Sequence, residues 1–237
     1  MSEHSALFSQ QAYKMLGGTN NKEQRLKAIN DDIQHTGFKA TSKSNRDMLH
    51  LVNETTGEHH ISVRGTDASF KRAKTKQDIM TDLKFAFGKE KHDKHFKKKI
   101  NRIDNLIKQI PTGKKVSLSG HSLGGGVVTE AVKTKRNIRG RVDNTTTYNS
   151  AFSPFTKGAS KQTTKDLKNK LTHHRNKYDL VSASSLVNNT VGTVIQHEPK
   201  DNETINKIKI VPEHLKNIFN SVEQLKHHSI DQFINDA

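Results

Sequence analysis

The residues whose types and spacing could do chemistry are concentrated in one stretch, Val116-Ser117-Leu118-Ser119-Gly120-His121-Ser122-Leu123-Gly124-Gly125-Gly126. It reads as a short buried strand, the pentapeptide Gly-His-Ser-Leu-Gly, and a helix running on towards Lys133. A G-x-S-x-G string between strand and helix holds its serine on a sharp, strained turn, with Oγ clear of the sheet as a nucleophile. Gly120 and Gly124 suit such a turn, because a Cβ at either place would collide with the neighbouring strand or helix. The helix that starts at Leu123 aims its first N–H groups at the serine, so the Leu123 N–H can receive an oxyanion formed beside Ser122. The plain alternative is a glycine-rich turn that happens to hold a serine. Five-residue matches are common by chance, whereas Ser-Gly-His-Ser-Leu-Gly-Gly on a strand-turn-helix unit is far less so.

Together with Val63-Arg64-Gly65-Thr66 upstream, Gly-His-Ser-Leu-Gly-Gly resembles the class 3 (fungal-type) lipases of the α/β-hydrolase fold, over roughly residues 48 to 234. The resemblance implies an α/β architecture, a central, mostly parallel sheet with helices on both faces. It also implies site residues. The residue after Arg-Gly supplies a second oxyanion-hole donor in that family, which is Thr66 here. The family's Asp-x-Val-small motif resembles Asp179-Leu180-Val181-Ser182, following a strand over 171–176, so Asp179 is the expected triad acid. Asp166 and Asp201 are its competitors, both in strongly polar stretches. A catalytic histidine in a His-Ser-Ile-x-x-Phe context falls on His228, with His227 the adjacent rival. The chain order Ser122, Asp179, His228 is the one that fold requires. The mechanism implied is acyl transfer from a lipid or small ester, with no metal and no organic cofactor.

Composition bounds these expectations. The 237 residues suit one domain, only 31% are apolar, and there is no tryptophan. Cysteine is absent, which removes disulfides and thiolate metal sites. No run has the roughly 18 apolar residues of a membrane span, and Met1 to Phe8 lacks the basic and apolar regions of a secretory signal. The expectation is an intracellular or non-classically exported protein, whereas secreted members of the resembled family often carry signals and disulfides. Forty Lys and Arg against 24 Asp and Glu leave a net charge of +16. Such a charge attracts polyanions, an anionic membrane surface first and nucleic acid second. Nucleic acid is the less favoured partner because only 5% of the chain is aromatic, too little to interleave stacking rings with the basic stretches. Oligomeric state is not indicated.

The remaining chain supplies the elements that must position the serine. Residues 1–47 form an N-terminal helical packing segment of the same domain, with helices over 6–16 and 21–35 that carry no assigned chemistry. The hydrolase-like domain covers 48–237. Strands are expected over 48–53 and 59–64, joined by Glu54-Thr55-Thr56-Gly57. By position residues 68–88 correspond to the lid of the resembled family, the alternative being a basic surface loop that leads to a core helix. A lid this rich in cations and poor in apolar residues argues against a strict triglyceride lipase and for phospholipid or shorter acyl esters. Lys89 to Lys99 leads into a helix with Phe96, Ile100, Ile103, Ile107 and Ile110 at helical spacing. His92 and His95 there lack further ligands and read as solvated. A strand over 144–148, a basic helix or loop over 161–170 and a hairpin of 191–197 with 205–211 complete the expectation. The rival reading is a catalytically weak lipase-fold protein that serves as a basic binding or structural component.

Overall fold

In the computed structural model, which describes residues 4–16, 21–65, 89–150, 159–177, 191–198 and 229–234 (backbone alone for 89–95), seven strands lie side by side in the order of the chain. They are β1 (Phe38–Ala40), β2 (Met48–Asn53), β3 (His59–Val63), β4 (Val116–His121), β5 (Asn144–Tyr148), β6 (Leu171–Asn176) and β7 (Thr193–His197). β1–β2 and β2–β3 pair antiparallel, and β3 to β7 pair parallel throughout. The sheet is therefore mostly parallel, as expected. β7 is the first arm of the expected hairpin and pairs with β6; the second arm, 205–211, lies outside the described residues. β1 is an addition to the sequence reading, which named only helices before residue 48.

Parallel strands that always step the same way, joined by right-handed crossovers, put their connecting helices on one face. Helices α3 (Lys89–Lys108), α4 (Leu123–Thr134), α5 (Arg136–Arg141) and α6 (Lys161–Leu167) pack together there. Ile61, Val63, Val116 and Leu118 meet Ile103 and Ile107 of α3 and Val127, Val128 and Ala131 of α4 in one aliphatic layer. α1 (Ser5–Gln11), its continuation as a 3-10 turn (Ala12–Leu16) and α2 (Lys22–Ile33) cover the other face. Phe8, Ala12 and Met15 pack there with Ile29, Ile33, Leu49 and Leu51. α2 starts cleanly because the Asn21 side chain accepts from the Gln24 N–H while the Gln24 amide accepts from the Asn21 N–H. It stops through a 3-10 turn at Gly37, whose φ of 72° suits glycine. Helices thus cover both faces of the sheet.

Candidate active site

β4 is buried along its whole length and ends at His121. Ser122 follows with φ 54° and ψ −126°, a conformation that costs a non-glycine residue roughly 1–3 kcal/mol. α4 begins at the next residue, and its first turn closes when the Gly126 N–H donates to the Ser122 carbonyl at 3.2 Å. The Ser122 N–H donates to the Tyr148 carbonyl at 3.0 Å, which ties the turn to the end of β5. Ser122 itself is buried, 6% exposed.

The glycines around it answer to close packing. A Cβ on Gly120 would sit 2.5 Å from the Gly124 carbonyl oxygen, and one on Gly124 would run into the Val63 carbonyl oxygen. The N-terminal turn of α4 is thereby pressed against both β4 and the end of β3. That brings the start of α4, with Leu123, beside the chain that leaves β3 through Arg64 and Gly65. A Cβ on Gly65 would stand 3.1 Å from Ser122 Cβ and 3.0 Å from the His121 carbonyl oxygen, so this segment touches the serine turn directly. Arg64 Nη1 donates to the Gly65 carbonyl at 2.7 Å, and Arg64 Nε donates to the Arg46 carbonyl. Beside them Asp47 takes Arg102 in an ion pair, and the buried Lys99 ammonium lies 3.9 Å from its other oxygen. Burial, with Arg64 close by, lowers the Lys99 pKa to about 8.

The other sequence-derived candidates, Thr66, Asp179 and His228 with its rival His227, lie outside the described residues, as do Asp201 and the segment 68–88. Asp166 is described; on α6, it lies 3.4 Å from Arg139 of α5. The segments that flank the absent candidates are described. β6 runs parallel to β5 and β4 and ends at Asn176, so its exit is at the same edge of the sheet as Ser122. Buried Asn149, just past β5 with φ 39°, accepts from the Asn176 N–H at 2.9 Å through Oδ1 and donates its own N–H to the His174 carbonyl at 2.9 Å. At the other end, the 3-10 turn Ile230–Phe233 packs on the last residue of β5. Ile230 shares a cluster with Ala6 and Tyr148, and the Phe233 ring lies 5.1 Å from that of Tyr148. Tyr148 is paired in register with His121.

One participant is invisible to the sequence reading. The Tyr13 hydroxyl, from the 3-10 turn after α1, lies 2.8 Å from His121 Nδ1 and accepts from the Gly65 N–H at 3.1 Å. Among the described residues no group of three or more histidines, aspartates or glutamates could hold a metal ion, and no helix is long and apolar enough to cross a membrane.

Comparison with known proteins adds a family and a fold. The phospholipase-like family described as a Tle-like phospholipase domain matches the chain over residues 4–228. No curated protein matches it. Among solved structures, M37 lipase is similar with a TM-score of 0.51 at 14% identity, over 99% of this chain and 84% of that one. A fungal lipase gives 0.45 at 14% identity over 83% of this chain and 78% of its own. An MDLA variant from Penicillium cyclopium gives 0.43 at 15% identity, over 84% and 78%. At such identity the likeness to M37 lipase shows the α/β-hydrolase fold, and that is how much it shows.

Proposed function

Because the chain belongs to the Tle-like phospholipase domain family, we propose that it hydrolyses carboxylic esters of lipids by acyl transfer through Ser122. The observation that carries this is the backbone of Ser122, held at φ 54° between a buried parallel strand and the N-terminus of a helix. A residue kept in that region needs surroundings that over-determine it, and here three contacts do so: Gly120 on α4, Gly124 on β3 and the Ser122 N–H on β5.

In the reaction, His228 takes the serine proton and returns it to the leaving alcohol, and Asp179 holds the imidazole tautomer and stabilises the imidazolium. The oxyanion is received by the N–H groups of Leu123 and Thr66, each worth roughly 3–4 kcal/mol in the transition state. The Arg64 bond to the Gly65 carbonyl supports the second assignment. A peptide group is planar with its C=O and N–H opposed, so holding that carbonyl restrains the amide N–H that follows it. The descent of β6 beside β5, and the packing of residues 230–233 on Tyr148, support Asp179 and His228 as the partners, since both flanks lie at the edge where Ser122 sits. A net charge of +16 favours an anionic lipid interface, and so a phospholipid over a neutral oil.

The test is covalent labelling with a fluorophosphonate together with turnover of a short p-nitrophenyl ester. Wild type is expected to be labelled once per chain, at Ser122. Ser122→Ala should lose labelling and drop turnover by about a thousandfold or more while unfolding as wild type does. Equal turnover by the two proteins would refute the enzymatic reading, and with it would favour the basic binding scaffold.

A further inference from the structure

The N-terminal segment reaches further into the site than packing requires. α1 lies along β4 on the face opposite α4, and its side chains meet the strand at matched intervals. Ser9 Oγ donates to Ser119 Oγ at 2.9 Å, and four residues later the Tyr13 hydroxyl meets His121, two residues further along β4. Four residues that pass from α1 into the 3-10 turn rise about 7 Å, and two strand residues about 6.6 Å, so helix and strand keep step. The step ends at the C-terminal edge of the sheet, where the serine turn is.

There the half-buried Tyr13 makes two bonds with one oxygen. The Gly65 N–H donates to it, and the ring nitrogen His121 Nδ1 lies 2.8 Å away. A hydroxyl has a single proton and accepts through its lone pairs. With Gly65 donating to it, the oxygen still has a proton and a further lone pair, so it pairs with Nδ1 whichever tautomer the ring adopts. The two partners are the residue before Ser122 and the residue before Thr66. One oxygen therefore bridges the segment that carries the nucleophile to the segment assigned to the oxyanion. The Tyr13 and His121 rings, 5.9 Å apart and inclined at 64°, brace the bridge edge to face. Gly65 completes the fit, since a Cβ there would stand 2.5 Å from the Tyr13 oxygen.

We infer that Tyr13 is a positioning residue of the acyl-transfer site, setting the distance between the nucleophile and the oxyanion donor through its bonds to His121 and Gly65. The inference rests on the acyl-transfer reading above. The separation matters because the oxyanion forms on the carbon that Ser122 attacks, and a misplacement of about 1 Å can cost about a hundredfold in rate.

Tyr13→Phe keeps the ring and removes the bridge. On a soluble p-nitrophenyl ester its kcat should fall about 10–100-fold with KM within about twofold of wild type. Fluorophosphonate labelling of Ser122 should still go to completion, more slowly by a similar factor. His121→Gln, which cuts the bridge from the other side, should show the same split, and the double variant should be no slower than the worse single one, because both remove one link. Ser5→Ala is the control: it cuts the 2.6 Å bond between Ser5 Oγ and the Tyr148 hydroxyl, another tie between α1 and the sheet, and should leave kcat unchanged. A Tyr13→Phe protein with wild-type kcat, or losses in Tyr13→Phe and His121→Gln that multiply, would overturn the inference while leaving the enzymatic reading intact. A wild type that neither labels nor turns over would overturn both. A kcat loss in Ser5→Ala as large as in Tyr13→Phe would reduce Tyr13 to general packing.

Discussion

Along β3 and β4 alternate side chains leave the sheet in opposite directions, and the two sides are made of different material. Towards α3 and α4 go Ile61, Val63, Val116 and Leu118, all fully buried and purely aliphatic. Towards α1 go His60, Ser62 and Ser119, equally buried and purely polar. On that side Ser9 Oγ donates to Ser119 Oγ and Ser119 Oγ to Ser62 Oγ, each at 2.9 Å, and Ser62 Oγ donates back to Ser9 Oγ at 3.3 Å. His60 Nε2 joins at Ser119, 2.9 Å away. The aliphatic side is non-directional and holds the helices by exclusion from water. The polar side is directional, and it fixes where α1, and so Tyr13, lies along β4. The first kind of packing stabilises; the second also sets register.

The largest expected effect appears on acidification, and it comes from buried imidazoles on both faces of the sheet. His60 and His174 lie on the α1 side, and His50 (paired with Ile61) and His173 (two residues from Leu171) on the side of α3 and α4. Burial holds His60 at about 3, and His50, His173 and His174 at about 4, against 6.5 for a free imidazole. Below 6.5 the unfolded chain takes up protons that these rings refuse in the fold, so stability is complete above 6.5 and is lost as pH falls towards 4. Each unit of depression corresponds to about 1.4 kcal/mol per group. Urea unfolding at pH 7.5 and at pH 4.5 should therefore differ by several kcal/mol, and a stability independent of pH over that range would mean that the histidines are not held as described.

Leu118→Ala attacks the aliphatic side. A fully buried leucine between two helices and two strands should cost about 2–5 kcal/mol. No titrating group is added or removed, so the loss should be the same at pH 7.5 and pH 5.5. A loss that grew on acidification would show that this layer is coupled to the buried imidazoles on its own face, His50 and His173.

What could be read beforehand divides along the same line. The serine turn, the alternation of β3 and the helical spacing of Ile100, Ile103 and Ile107 are local patterns, and all stand in the fold where the sequence put them. The helix expected over 21–35 is α2 with its closing 3-10 turn. The strands that carry the histidine pairs at 59–60 and 173–174 split them, because a strand sends neighbours to opposite faces. In the fold His60 joins the serines while His59 meets His50, and His173 meets Thr147 while His174 stacks on Tyr148. Tyr13 was illegible for a different reason. Its partners are 52 and 108 residues away, and a tyrosine near a helix end has the same local signature whether it packs or positions. β1 was missed because three residues pairing at a sheet edge are too few to show alternation. The candidates taken from motif resemblance, Thr66, Asp179 and His228, stay proposals, supported by the segments that border them.

The smallest effect isolates the polar side most cleanly. In the serine ring, Ser119 donates to Ser62 and accepts from Ser9, so His60 must use Nε2–H as a donor to it. His60 Nδ1 is then a buried acceptor with no hydrogen-bond partner. Ser119→Ala would leave the whole imidazole unsatisfied and break two links of the ring, a loss of about 1–3 kcal/mol. His60→Phe removes the polar atoms instead, and its ring would lie where the imidazole already meets Phe8 edge to face at 4.9 Å. Replacing both partners by apolar groups is far cheaper than orphaning one. The double variant should therefore be more stable than the sum of the single losses by about 1 kcal/mol, measured by urea unfolding at pH 7.5. Strict additivity would show that the imidazole is satisfied by something other than Ser119, and the polar side would then be packing like its opposite.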